Sequence, residues 1–170
     1  LEALLGRQLP VSGSAGALQP GAVVLATART PGLADWGVST EGLGPEGYRI
    51  RSVTVGGKPV TVIAGGGDQG ALYGAFHFLR LVQTAQPIAT LDVQSRPHTK
   101  LRLLNHWDNL DRHVERGYAG QSIWDWHKLP DWLDPRYTDY ARACASIGIN
   151  GAVLTNVNAN ATSLTPQYIE

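Results

Sequence analysis

Leu101–Ser122 reads LRLLNHWDNLDRHVERGYAGQS. The stretch opens as a short apolar run, Leu101, Leu103 and Leu104, then changes abruptly to His106, Trp107, Asp108 and Asn109. An apolar strand finishes in an imidazole, an indole, a carboxylate and an amide when that end faces something polar. Binding groups concentrate on loops held by a rigid scaffold. At the C-terminal end of a barrel strand such a cluster reads as part of an active-site floor.

Working outward, strand Lys100–Asn105 is followed by a long loop, Asn109–Trp126. Pro135–Ile147 has helical spacing that turns Tyr137, Tyr140, Ala141, Cys144 and Ile147 inward. Gly148 and Asn150 stand where such a helix is capped. Gly151–Thr155 is a second buried strand, ending in Asn156, Val157 and Asn158. Strand, helix, strand is one βα unit and the start of the next, which is how a (β/α)8 barrel begins. That fold takes about 250 residues, so most of the barrel is expected to be missing.

Upstream, Ser95-Arg96-Pro97-His98 is a polar, proline-marked junction, and the domain boundary is placed there: 1–97 and 98–170. In the first part, Glu2–Leu9 suggests a short helix, Gly21–Ala28 a buried strand, and Thr30–Gly37 a short helix with Thr30 as N-cap. Tyr48–Val55 alternates apolar and polar residues, as a half-exposed strand does. Gly56-Gly57 fits a two-residue hairpin turn, and Lys58–Ala64 returns as the partner strand. Ala71–Thr84 is helical by spacing, with Asp68 as its expected N-cap. Ile88–Val93 reads as another strand. The expected class is an α+β accessory domain, an antiparallel hairpin sheet with helices, followed by the first βα units of a truncated TIM barrel.

Gly65–Gly70 matches G-x-G-x-x-G, follows a strand and opens a helix, and Asp92 lies about twenty residues on, where a ribose-binding acid would sit. Against a dinucleotide site, the preceding strand belongs to a tight hairpin, whereas that fold needs parallel βαβ units. Asp68 would also set like charge against a pyrophosphate. The plainer reading is a glycine turn that packs the helix tightly on its hairpin.

Across 170 residues, 14 Lys and Arg balance 14 Asp and Glu, so no broad footprint for nucleic acid or an anionic membrane appears. The single Cys144 forbids an internal disulfide framework. The five histidines show no close-spaced pair, so no metal and no cofactor are expected. No apolar run is long enough to span a bilayer. The chain starts with Leu rather than Met, shows no signal-peptide pattern, and stops in mid-pattern at Gln167–Glu170. Both ends read as cut, so the compartment is left open.

NHWDNLDRHVERGYAG, Asn105–Gly120, resembles the first barrel strand and following loop of the glycoside hydrolase family 67 α-glucuronidases. YRIRSVTVGGKPVTVIAGGGDQGALYGAFHFLRLV, Tyr48–Val82, resembles the accessory domain that precedes the barrel in that family. Where versions of the first pattern carry Gly and a small residue, this chain has Arg112 and His113, so neither is given a role. The resemblance implies an inverting enzyme that removes α-1,2-linked (4-O-methyl)glucuronic acid from xylan fragments. Its general acid and base would come from later strands, so no catalytic residue is assigned in this chain, which would be inactive alone. Xylo-oligosaccharides carrying glucuronic acid are the expected partners, and a homodimer of the full-length protein stays open.

The assigned substrate-binding residues are Trp107, His106, Asp108, Asn156 and Asn158. An indole face suits the C–H face of a pyranose ring, whereas Trp124, Trp126 and Trp132 are read as packing. Asp108 could bond sugar hydroxyls or cap its own strand. Asn156 and Asn158 could bond hydroxyls or simply form a turn. Asn109 and Asp111 are read as loop-pinning groups, and Glu115 with Arg116 as an adjacent ion pair. Two alternatives remain: a stand-alone carbohydrate-binding accessory module, and a hexosaminidase-like glycosidase sharing the accessory domain.

Overall fold

The structure is a computed structural model that describes residues 1–169. The chain divides into two compact units, Leu1–His98 and a second that begins at Thr99. The class is mixed α+β. Among the described residues no helix is long and apolar enough to cross a membrane.

The first unit contains α1 (Glu2–Leu5), β1 (Val23–Thr27), β2 (Tyr48–Val55), β3 (Lys58–Gly65), α2 (Asp68–Gln83) and β4 (Asp92–Ser95). The hairpin forms as its sequence dictates. Gly56 and Gly57 take φ of 56° and 79°, the left-handed pair that a two-residue turn requires, and Val55 faces Lys58 across the closing pair. The sheet order is β1-β3-β2-β4. The hairpin strands are antiparallel as expected, and β1 adds to them in parallel beside β3, so the sheet is mixed. The reason is the long connection after β1. It covers one face with Leu33 and Val38 before the chain enters β2, and β1 is left to pair with the free edge of β3.

That arrangement buries β3 on both sides. Val60, Val62 and Ala64 pack with Ala26, Leu33 and Val38. Ile63 faces the other way, into a cluster with Ile50, Phe78 and Leu91 beneath α2. Val62, Ile63 and Ala64 are fully buried. A strand buried on both faces in this way reads as a near-continuous apolar run, as β3 does.

α2 starts three residues before the apolar spacing suggests. Gly67, not Asp68, is its N-cap, and no side chain caps it. Asp68 sits one position inside, where its charge suits the helix dipole, and pairs with Arg29 at 2.8 Å. The glycine run has a tertiary cause. A β-carbon on Gly66 would stand 1.9 Å from the Gly44 carbonyl oxygen, and one on Gly70 2.1 Å from that of Gly47. The Gly66 and Gly70 amides donate to the carbonyls of Gly47 and Pro45. The chain's own backbone occupies the place a pyrophosphate would need. Elsewhere α1 ends at Leu5, only a 3-10 turn forms at Ala34–Trp36, and the last strand starts at Asp92 rather than Ile88.

The second unit contains β5 (Leu103–Asp108), α3 (Pro135–Ser146), β6 (Gly151–Thr155) and α4 (Pro166–Ile169). β5 and β6 are parallel and joined through α3. β5 starts later than expected because Asn150 takes the segment before it: its side chain accepts from the Arg102 amide at 2.9 Å and donates to the Lys100 carbonyl at 2.7 Å. α3 is framed by Asp134, whose side chain accepts from the Arg136 amide, by Pro135 at its first turn, and by left-handed Gly148 just beyond its end. Tyr137, Tyr140 and Cys144 are half-buried, whereas Ala141 and Ile147, read as inward, are exposed.

Candidate functional site

β5 carries the polar cluster through its last residues instead of ending before it. The pairing runs Asn105 to Val153 and then Asp108 to Thr155, so His106 and Trp107 together oppose one residue of β6. Such a bulge re-aims side chains and recurs beside active sites. Beside it lies a cleft of about 430 Å³, whose lining includes His106, Trp107, Asp108, Glu115, Tyr118 and Ser122.

Trp107 is 44% exposed and offers an indole to this cleft. Asp108 is buried; the Ser122 hydroxyl donates to its carboxylate and itself accepts from the Trp124 amide at 2.9 Å. His106 has its Nε2 at 2.5 Å from the Tyr140 hydroxyl and packs edge-on against Trp124. Burial first, then a hydrogen bond with Cys144 and the charges of Cys144 and Asp108, push the Tyr140 phenol up to about 12. That hydroxyl therefore keeps its proton at neutral pH, and His106 backs the cleft as part of an aromatic cluster with Trp124, Tyr137 and Tyr140.

Asn156 is buried, and its Nδ2 donates to Glu115 Oε2 at 3.3 Å while its Oδ1 accepts from the Asn158 amide at 2.8 Å. Asn158 is exposed and lies outside the cleft lining. Of the five assigned residues, three line the cleft, Asn156 reaches it through Glu115, and Asn158 contributes a backbone turn.

Glu115 and Arg116 form the adjacent ion pair read from the sequence, with Arg116 Nε 3.7 Å from Glu115 Oε1, but the Glu115 side chain is only 10% exposed, against 79% for Arg116. One carboxylate oxygen is held by Asn156 and the group lines the cleft. No spacing marks this residue; only the pairing of β5 with β6 brings Asn156 to it. Ser122 was likewise unmarked.

The loop that carries Glu115 is tightly wound. Arg112 and Glu115 both take left-handed backbone, φ 75° and 55°, at a cost of order 1–3 kcal/mol each. Asn109 pins the turn, its Nδ2 donating to the carbonyls of His113 and Glu115 at 2.9 and 2.7 Å. Asp111 accepts from the His113 amide and side chain, which hold its carboxyl below the ordinary range. At the far end, burial of Asp125 would raise its carboxyl. The Lys128 hydrogen bond and the charges of Arg112, Lys128 and Arg136 outweigh that and hold it low. The cleft thus combines an open indole, a buried carboxylate with an amide behind it, and rigid walls, which suits a polyhydroxylated ring.

Comparison with known proteins gives the same direction. Residues 1–78 match the family described as "Glycosyl hydrolase family 67 N-terminus", and residues 81–170 match "Glycosyl hydrolase family 67 middle domain". The chain is 36% identical over 172 residues to "Probable alpha-glucuronidase A" of Aspergillus oryzae, covering all of this chain and 20% of that protein. It is 44% identical over 110 residues to the protein of the same name from Aspergillus terreus, covering 64% of this chain and 13% of that one. To "Alpha-glucuronidase A" of Aspergillus tubingensis it is 39% identical over 130 residues, 75% of this chain and 15% of that protein. The chain spans about a fifth or less of the length of these curated relatives.

Proposed function

The chain belongs to glycosyl hydrolase family 67, and from that premise we propose that it is the N-terminal portion of an α-glucuronidase. In this reading residues 1–97 form the accessory domain and residues 98–170 begin the (β/α)8 catalytic barrel. A parallel β5–α3–β6 unit with functional groups at the C-terminal ends of both strands supports the barrel reading. So do the apolar side chains left exposed around it, Leu101, Ile147 and Val153 among them, which further strands and helices would cover.

The substrate is an α-1,2-linked (4-O-methyl)glucuronic acid on a xylan oligosaccharide. Trp107 stacks on the pyranose, and Asp108, Glu115 and Asn156 form the polar wall; His106 and Asn158 hold that wall from behind. The observation that carries this reading is the half-exposed Trp107 beside a nine-tenths-buried Glu115 bonded to Asn156.

Inverting hydrolysis needs an acid and a base about 6.5–9.5 Å apart, with room for water between them. Asp108 is bonded to Ser122 and Glu115 to Asn156, which suits binding groups rather than a proton donor and a water-activating base. The catalytic pair therefore belongs to the rest of the catalytic domain.

Isothermal calorimetry with an aldotetraouronic acid tests the reading. The chain is expected to bind it, and Trp107→Ala to weaken binding at least tenfold with the thermal midpoint retained. No binding by the parent chain, or equal binding by Trp107→Ala, contradicts it.

A further inference from the structure

The turn that presents Glu115 is fastened at its far end by a group to which the sequence gives no role. We propose that Arg112 is a positioning residue, a latch that ties the two ends of the 109–128 loop and so holds the Glu115 wall of the cleft; its consequence for binding rests on the glucuronate reading above.

Arg112 keeps a left-handed backbone at φ 75°, which a β-carbon disfavours. Its peptide is held on both sides: its amide donates to the Asn109 carbonyl at 2.9 Å, and its carbonyl accepts from the Ser122 amide at 2.8 Å. Its guanidinium then reaches Asp125 Oδ1 at 3.0 Å and donates to the Ser122 carbonyl at 3.4 Å. The Asp125 side chain is 3% exposed, and Lys128 Nζ lies 3.2 Å from its other oxygen. A buried carboxylate that loses one of its cations stays charged and under-paired, so such a contact opens reluctantly. The Asp125 amide also donates to the Tyr137 hydroxyl at 2.8 Å, which anchors this end to α3. Ser122, clamped between, is the residue that donates to Asp108. Without the guanidinium, the turn keeps its backbone bonds and the Asn109 side chain but loses its tie to the buried Asp125.

Amide hydrogen exchange on the full chain reads the latch without any ligand. R112G removes the guanidinium and relieves the left-handed backbone, so the variant keeps its fold. Exchange at the Val114, Gly117 and Ser122 amides is expected to rise at least tenfold, with β5 and β6 unchanged and R112K intermediate. Unchanged exchange at those three amides, or an equal rise throughout the second unit, overturns the latch. Titration with methyl α-D-glucopyranosiduronate reads the consequence: binding at least fivefold weaker in R112G, partly recovered in R112K. Equal affinity in parent and R112G overturns the positioning role. Absence of binding by the parent is a failure of the glucuronate reading, and the exchange result then decides the latch alone.

Discussion

The two units solve the burial problem in opposite ways. In the first, β3 has neighbours on both edges and cover on both faces, and the two buried apolar clusters found among the described residues lie there. In the second, the sheet among the described residues has just two strands, β5 and β6, and Leu101, Leu103, Val153 and Leu164 are exposed. What is buried in the second unit is instead polar: Asp108, Ser122, Asp125 and Asn156. A unit that closes its own core is organised by area removed from water. A unit that leaves its apolar faces open, and still buries four polar residues, is organised around a site. The difference is one reason the proposed site is placed in the second unit.

Substitutions sharpen or break that contrast. Ile63→Ala empties a fully buried position and is expected to cost about 3 kcal/mol, within the usual 2–5 for such truncations, by urea denaturation. A loss under 1 kcal/mol would mean that the first unit is not closed as described. Gly57→Ala, at φ 79°, forces a left-handed alanine into the hairpin turn and should cost about 1 kcal/mol in the same assay.

Acid acts mainly on the second unit. Asp125 and Asp134 have folded-state carboxyls held below the ordinary carboxylate range by the cations described and by the Arg136 contacts. A depressed folded value means that this stabilisation is complete above the unfolded value and disappears as pH falls through the folded one. The near-ultraviolet circular dichroism of Trp107, Trp124, Trp126 and Trp132 should therefore hold down to about pH 4 and fall below it. Loss of that signal on raising the pH instead would reverse the assignment. Smallest of all, Val153→Ala, at a half-exposed position, should change stability by less than about 0.5 kcal/mol. A core-sized loss there would show that the second unit is better packed than its open faces indicate.

Legibility in the sequence follows the same division. The hairpin and β6 can be read directly because their signals are local: a glycine pair with positive φ, and the apolar run Ala152-Val153-Leu154 that follows a glycine. The start of β5 is not local. Asn150, nearly fifty residues on, takes Lys100 and Arg102, and pairing with β6 begins only at Leu103. The direction of β1 depends on the connection after it, which periodicity does not describe. In the site, His106, Trp107 and Asp108 stand out because they break an apolar run. Glu115 is hidden by its neighbour Arg116, and Ser122 and Arg112 by the ordinary look of a polar loop. Their partners, Asn156, Asp108 and Asp125, are supplied by tertiary contact alone.

In the proposed function this chain supplies one wall of a glucuronic acid pocket while the reacting carboxyl pair lies elsewhere in the catalytic domain. Release of 4-O-methylglucuronic acid from an aldouronic oligosaccharide by the purified chain, with a full-length family member as positive control, tests it most directly. No release by the chain, with the control active, is the predicted result. Steady turnover by the chain would contradict the account and require both reacting carboxylates among these residues, with Asp108 and Glu115 the first to examine.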